Sequence, residues 1–167
     1  PAGGDQVMPF GALRPFGRGI AFARYKNAKT FAAVAIELEV TDAAEVHLHS
    51  AVVAADAGQV VDPDGLAAQL EGGLLQAASW TLYEEVRFDR DGITSRDWDS
   101  YPILRFNNIP HIETVLMGRP GDPFLGAGEA TAGPTAGAIA NAIKSATGLR
   151  LRRLPFTADA IRAAALQ

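Results

Sequence analysis

Phe31-Ala-Ala-Val-Ala-Ile-Glu-Leu-Glu-Val40 alternates along its length. Val34, Ile36, Leu38 and Val40 fall on one side, and Ala35, Glu37 and Glu39 on the other. A period of two buries one set of side chains and leaves the other in water, so this is a half-buried strand, and its polar face points to antiparallel pairing. Working outward, Gly19 to Tyr25 is expected to pair with it, and Glu45 to Ala54 supplies a further strand. The period then changes. Asp62-Pro-Asp-Gly65 is a turn that opens a helix, in which Leu66, Leu70 and Leu74 recur every four residues and Ala77, Ala78 and Leu82 continue the stripe. Asp62 suits the N-cap and Pro63 the first helical position. Gly72-Gly73 interrupts this helix. Each mid-helix glycine costs about 1 kcal/mol relative to alanine, so the pair is expected only where another backbone or a ligand comes close.

Glu85 to Asp89 and Ile93 to Arg96 flank Arg90-Asp91-Gly92, a hairpin signal. His111 to Met117 reads as a short strand, and Gly118 to Gly133, crowded with Gly and Pro, as a long loop of the kind that is usually functional or mobile. Pro134 to Thr147 is a helix with Ala138, Ile139, Ala142, Ile143 and Ala146 on one stripe and Gly148 at its C-cap. A last short helix follows Pro155, with Thr157 as N-cap. Residues 1–16 lack periodicity and read as an irregular leader, which leaves residues 17–167 as the domain. The expected fold class is α+β: a mixed or antiparallel sheet packed with two main helices and a short C-terminal one.

Composition narrows the function. Fifteen Lys and Arg stand against nineteen Asp and Glu across 167 residues, a net charge of −4 with no basic run, which argues against nucleic acid as a partner. The 48% of hydrophobic residues is enough for a core in a chain of this size. There are no cysteines, so thiolate chemistry, iron–sulfur ligation and cysteine zinc sites within this chain are excluded. No apolar run approaches the ~20 residues of a transmembrane segment.

Gly126-Ala-Gly-Glu129-Ala-Thr-Ala-Gly-Pro134 is the stretch that can carry chemistry. Two glycines strip bulk from beside one carboxylate, so Glu129 can project toward a large ligand and serve as a general base. On spacing alone a simpler role also fits: capping the following helix or pairing with an arginine. A dinucleotide fingerprint does not fit, because the third glycine and the βαβ context are missing. Gln69 offers donor and acceptor to a ligand ring, or is an ordinary surface glutamine. His47 and His49 lie on one strand face, where exposed packing is a simpler reading than metal binding. Arg150, Arg152 and Arg153 form a small basic cluster suited to a helix terminus or a carboxylate.

Several of these blocks, in order, resemble the C-terminal end of the molybdenum-binding subunit of the xanthine dehydrogenase/aldehyde oxidase family. They are Asp56-Ala-Gly-Gln-Val-Val-Asp-Pro-Asp-Gly65, Gln69-Leu-Glu-Gly-Gly73, Leu82-Tyr-Glu-Glu85, Tyr101-Pro-Ile-Leu-Arg105, Gly126 to Ile143, and Arg150-Leu-Arg-Arg-Leu-Pro155. The resemblance runs from about Gly17 to Leu154. Its Gly-Pro-Thr-Ala-Gly-Ala-Ile-Ala-Asn-Ala wording is similar to the isoquinoline 1-oxidoreductase-like and nicotinate dehydrogenase-like branch. Ala130 departs from the Gly-Glu-Pro of many relatives.

The resemblance implies part of a bilobal molybdenum-cofactor-binding domain, with metal held by a pterin dithiolene and no protein ligand to it. It implies that Glu129 is the active-site base and that Gln69 hydrogen-bonds the molybdopterin, with Gly72, Gly73, Gly126 and Gly128 giving clearance. It implies a molybdenum hydroxylase acting on an N-heteroaromatic compound or an aldehyde with water as oxygen source. The cofactor is expected in its cytosine dinucleotide form, with [2Fe-2S] clusters on a small partner subunit. The upstream remainder of the molybdenum-binding polypeptide would grip most of the cofactor, so the isolated chain is expected to bind none, to be inactive, and to expose an apolar patch that permits self-association. The other class of reading is a non-enzymatic binding or assembly module that keeps the fold without turnover. Glu129 between glycines favours the enzyme.

Overall fold

Three consecutive strands form the sheet that the alternation predicts. In the computed structural model, which describes residues 16–166, β1 (Phe16–Arg24) pairs antiparallel with β2 (Phe31–Val40), and β2 with β3 (Val46–Asp56). Val34, Ile36, Leu38 and Val40 are buried, as their spacing requires. Opposite Glu37 and Leu38 the register slips, so that His49 is an extra residue in β3. Helix α1 (Pro63–Leu82) follows, then the short β4 (Phe88–Asp89) and β5 (Gly92–Ile93), and β6 (His111–Leu116). Strand β6 lies parallel to β3, so the four-stranded sheet, in the order β1-β2-β3-β6, is mixed. The hairpin is shorter than its sequence signal. Its strand residues are exposed, and without a buried face the ladder stops after two residue pairs, extended only by hydrogen bonds between Arg87 and Thr94 and Ser95. Helix α2 (Ala132–Thr147) starts two residues before the expected Pro134, and α3 (Ala158–Ala165) ends the fold. Of the leader expected over residues 1–16, residues 1–15 lie outside the described residues and Phe16 opens β1.

The caps are where the sequence puts them. Asp62 Oδ1 accepts from the Gly65 amide at 3.0 Å, Pro63 takes the first turn, Gly148 ends α2 with φ 77°, and the Thr157 side chain accepts from the Ala160 amide. Leu70 and Leu74 of α1, Ile139 and Ile143 of α2, and Ile161 of α3 are fully buried in one core with the inner face of β2. Each such side chain contributes roughly 1.5–3 kcal/mol relative to exposure.

Helix α2 lies on β1 at backbone distance. A Cβ on Gly17 would strike the Ala142 carbonyl and stand 2.7 Å from the Ala146 nitrogen, and one on Gly19 would strike the Ala138 carbonyl and Ala142 nitrogen. Neither glycine has a positive φ, so what they supply is space. Across the same contact Gly137 faces Ala21 and Gly133 faces Ala23. Asn141 of α2 donates to the Ile20 carbonyl at 3.0 Å and accepts from Arg150 at 2.8 Å, so that arginine meets an amide, not the carboxylate or helix terminus expected of it.

Gly19→Ala is therefore expected to cost about 3 kcal/mol or more in a urea titration, because backbone atoms cannot give way. Gly118→Ala, whose added carbon would meet only Val60 at 4.0 Å, should stay within about 0.5 kcal/mol. Equal midpoints for the two variants would contradict the packing described.

Candidate active site

The loop between β6 and α2 is tied down along its length. The Met117 amide donates to the Ala55 carbonyl at 2.8 Å, the Arg119 amide to Gly58 at 3.0 Å and the Leu125 amide to Ala57 at 2.9 Å. The Gly121 amide donates to Gln59 Oε1 at 3.1 Å, and the Arg119 guanidinium pairs with the Asp56 carboxylate. Gly58, at φ 68°, takes a left-handed conformation beneath the Pro123 carbonyl, where no side chain fits. The Arg119 guanidinium and then the Gly58 amide hold the Asp56 carboxyl below its ordinary range. These ties carry the loop from the end of β3 to the Gly126–Glu129 stretch.

That stretch lies against one face of α1. Gln69, Gly72 and Gly73 are spaced i, i+3, i+4 and so share a helix face. At Gly73 a Cβ would stand 2.6 Å from Thr131 Oγ1, and that hydroxyl donates to the Leu70 carbonyl at 3.1 Å. The clearance at Gly73, expected for a bulky ligand, is thus filled by Thr131. This also explains why Thr131, at the N-cap of α2, makes no side-chain capping bond. Gln69 reaches the same loop: its Nε2 lies 4.0 Å from where a Cβ on Gly128 would be. Cβ positions at Gly72 and Gly126 meet nothing within 4 Å. Gly72 and Gly126 therefore each border open space, Gln69 faces the loop at Gly128, next to Glu129, and the Gln69 amide has no hydrogen-bond partner among the described residues.

Glu129 is exposed, and it neither caps α2 with its side chain nor pairs with an arginine. Its Oε2 accepts from the Tyr25 hydroxyl at 3.0 Å. Tyr25 opens the turn between β1 and β2, and the same turn holds the loop a second time, since Thr30 donates to the Gly126 carbonyl from Oγ1 at 3.0 Å and from its amide at 3.4 Å. Lys26 (φ 47°) and Asn27 (φ 57°) in this turn are left-handed, at roughly 1–2 kcal/mol for the lysine, whereas asparagine tolerates the conformation. Tyr25, Thr30 and Thr131 were not singled out by the sequence. Their partners stand 104, 96 and 61 residues away, and no local spacing marks them.

The remaining candidates lie elsewhere. His47 faces Glu45 at 3.7 Å and His49 faces Glu39 at 3.3 Å, both imidazoles exposed. Among the described residues no group of three or more His, Asp or Glu side chains is arranged to hold a metal, and no helix is long and apolar enough to cross a membrane.

Comparison with known proteins gives this geometry its family. Residues 17–110, more than half of the chain, match the molybdopterin cofactor-binding domain. The chain belongs to that family. It is 40% identical over 155 residues to a nicotinate dehydrogenase subunit of Pseudomonas putida, covering 89% of this chain and 13% of that relative. It is 32% identical over 139 residues to the beta subunit of isoquinoline 1-oxidoreductase from Brevundimonas diminuta, covering 83% and 17%. Its fold superimposes on quinoline 2-oxidoreductase of Pseudomonas putida 86 with a TM-score of 0.77 at 21% identity, over 83% of this chain and 19% of that one. The chain thus spans less than a fifth of each relative's length.

The Asp56–Arg119 tie makes a pH prediction. A carboxyl held below its ordinary value stabilises the fold above that value, and the contribution disappears as pH falls through the folded-state value. Asp56→Asn should lower Tm by a few degrees at pH 7, and the gap to the parent should close in strong acid. A gap that persists at low pH would assign the loss to packing instead.

Proposed function

We propose that this chain is part of the catalytic subunit of a molybdenum hydroxylase, with Glu129 as its general base. The observation that carries the reading is the meeting of Gln69 with the Gly128-Glu129 loop around open Cβ positions. The family match and the relatives' names support the same class.

The residues present fit a molybdopterin. Gln69 would hold it, because a free amide offers donor and acceptor to a pterin or its oxygens, and Gly72, Gly126 and Gly128 leave it room. When bound, the cofactor supplies the redox and oxygen-transfer chemistry that no side chain here provides. Glu129 takes the proton from the attacking oxygen. One carboxylate oxygen stays on the Tyr25 hydroxyl while the other is left to receive it. The turn and loop around it fix where that oxygen stands.

The substrate class is an N-heteroaromatic compound or an aldehyde. Nicotinate, isoquinoline and quinoline in the relatives' names support the first. The cofactor form is the cytosine dinucleotide. Electrons leave to [2Fe-2S] clusters on a small partner subunit, a role consistent with relatives that are named as subunits. The rest of the cofactor's grip comes from the remainder of the molybdenum-binding polypeptide.

In the assembled enzyme, Glu129→Gln should lower kcat by about 10²–10⁴-fold with molybdenum content unchanged. Near-normal kcat would remove Glu129 from the chemistry. The purified 167-residue chain should hold no stoichiometric molybdenum by elemental analysis, and a one-to-one content would overturn the division of the cofactor's grip.

A further inference from the structure

We infer that the turn between β1 and β2 is the positioning element of the base, with Tyr25 setting the rotamer of Glu129 and Thr30 setting the backbone that carries it. The inference rests on Glu129 being the base. Tyr25 is then a positioning residue for the reaction.

A glutamate on a glycine-flanked loop is free in three side-chain torsions, and most of its rotamers carry the carboxylate away from any one point. Proton transfer needs a single geometry, with heavy atoms within hydrogen-bond reach. Gly126 and Gly128 give Glu129 no neighbouring side chain to lean on. The Tyr25 hydroxyl, 3.0 Å from Oε2, is the hydrogen-bond donor it has among the described residues. The backbone behind that hydroxyl is held in turn, and a lysine covers the ring. The Tyr25 amide donates to the Thr30 carbonyl at 2.8 Å, its carbonyl accepts from the Lys29 amide at 2.9 Å, and Lys26 Nζ sits 5.2 Å from the ring centroid.

The turn spends strain to reach this arrangement at Lys26, a left-handed residue that is neither glycine nor asparagine. What the strain secures is a double tie to the loop, at Gly126 through Thr30 and at Glu129 through Tyr25. A phenol also suits the task chemically. It orients a carboxylate through one directed hydrogen bond without the positive charge that a guanidinium would set against an incoming proton.

The test uses the assembled, molybdenum-loaded enzyme and the variants Tyr25→Phe and Glu129→Gln. Tyr25→Phe should lower kcat roughly 10- to 100-fold, the range of a lost hydrogen bond to a charged group, with KM within about twofold and molybdenum content unchanged. Crystal structures of parent and variant give a readout independent of turnover: the Glu129 carboxylate should occupy one conformer in the parent and several in Tyr25→Phe, with the loop backbone unmoved. Unchanged kcat, or a single unchanged Glu129 conformer in the variant, overturns the inference. If Glu129→Gln lowers kcat and Tyr25→Phe does not, the positioning role alone fails. If Glu129→Gln is near normal, the base assignment fails first, and the inference with it.

Discussion

Thr131 presses its hydroxyl onto α1 at Gly73, where the helix has no side chain to resist it, and the placement of the loop follows from that close approach. The bond from Thr131 Oγ1 to the Leu70 carbonyl fixes the end of the loop against the helix. Gln69 precedes Leu70 in α1, and Gly128 lies three residues before Thr131, so one bond sets the separation of both. A side chain at Gly73 would drive the Thr131 hydroxyl off α1 and break that bond. The roughly 1 kcal/mol that a mid-helix glycine costs is offset by the contact it permits.

A second close approach sets the other side. Helix α2 follows the loop, and β1 leads into the turn that holds Tyr25. The two elements meet backbone to backbone at Gly17 and Gly19. Their near ends, Thr131 and Arg24, are therefore placed by one stiff contact whose atoms have nowhere to move. Tyr25 and Glu129 emerge from those ends. Their hydrogen bond spans 104 residues, yet its length is decided by how a strand and a helix stack. Protein interiors transmit such constraints because they are close-packed, and here both constraints work through missing side chains.

This explains which parts could be read from the sequence. The period-two run of β2, the leucine stripe of α1 and the caps at Asp62, Gly148 and Thr157 depend on neighbours within a few residues, so they appear in the sequence as patterns. Gly72-Gly73 was legible as a demand for space, but its occupant was not: Gly73 makes room for Thr131, while Gly72 stays open. The parallel pairing of β6 with β3 was beyond reach, because a six-residue strand carries no mark of its partner's direction. Glu129 and Gln69 stood out through their glycine company and through resemblance. Tyr25 and Thr30 did not, since a tyrosine or threonine in a turn looks the same whether or not a distant loop rests on it.

The distribution of charge around the loop bears on the same point. Arg119 is the guanidinium carried by the loop itself, and it is committed to Asp56, with Asp122 at 3.5 Å as a second partner. Lys26 lies over the Tyr25 ring, 5.2 Å from its centroid. Glu129 is left with a neutral donor. A surface carboxylate among basic residues ordinarily gains from an ion pair, though by little when both groups are exposed. Forgoing that small gain keeps the carboxylate oriented without a counter-charge, a state of little use to stability and consistent with the base role proposed for Glu129. The loop's arginine meanwhile does structural duty ten residues earlier, where its pull on Asp56 anchors the segment that delivers Glu129 to its place.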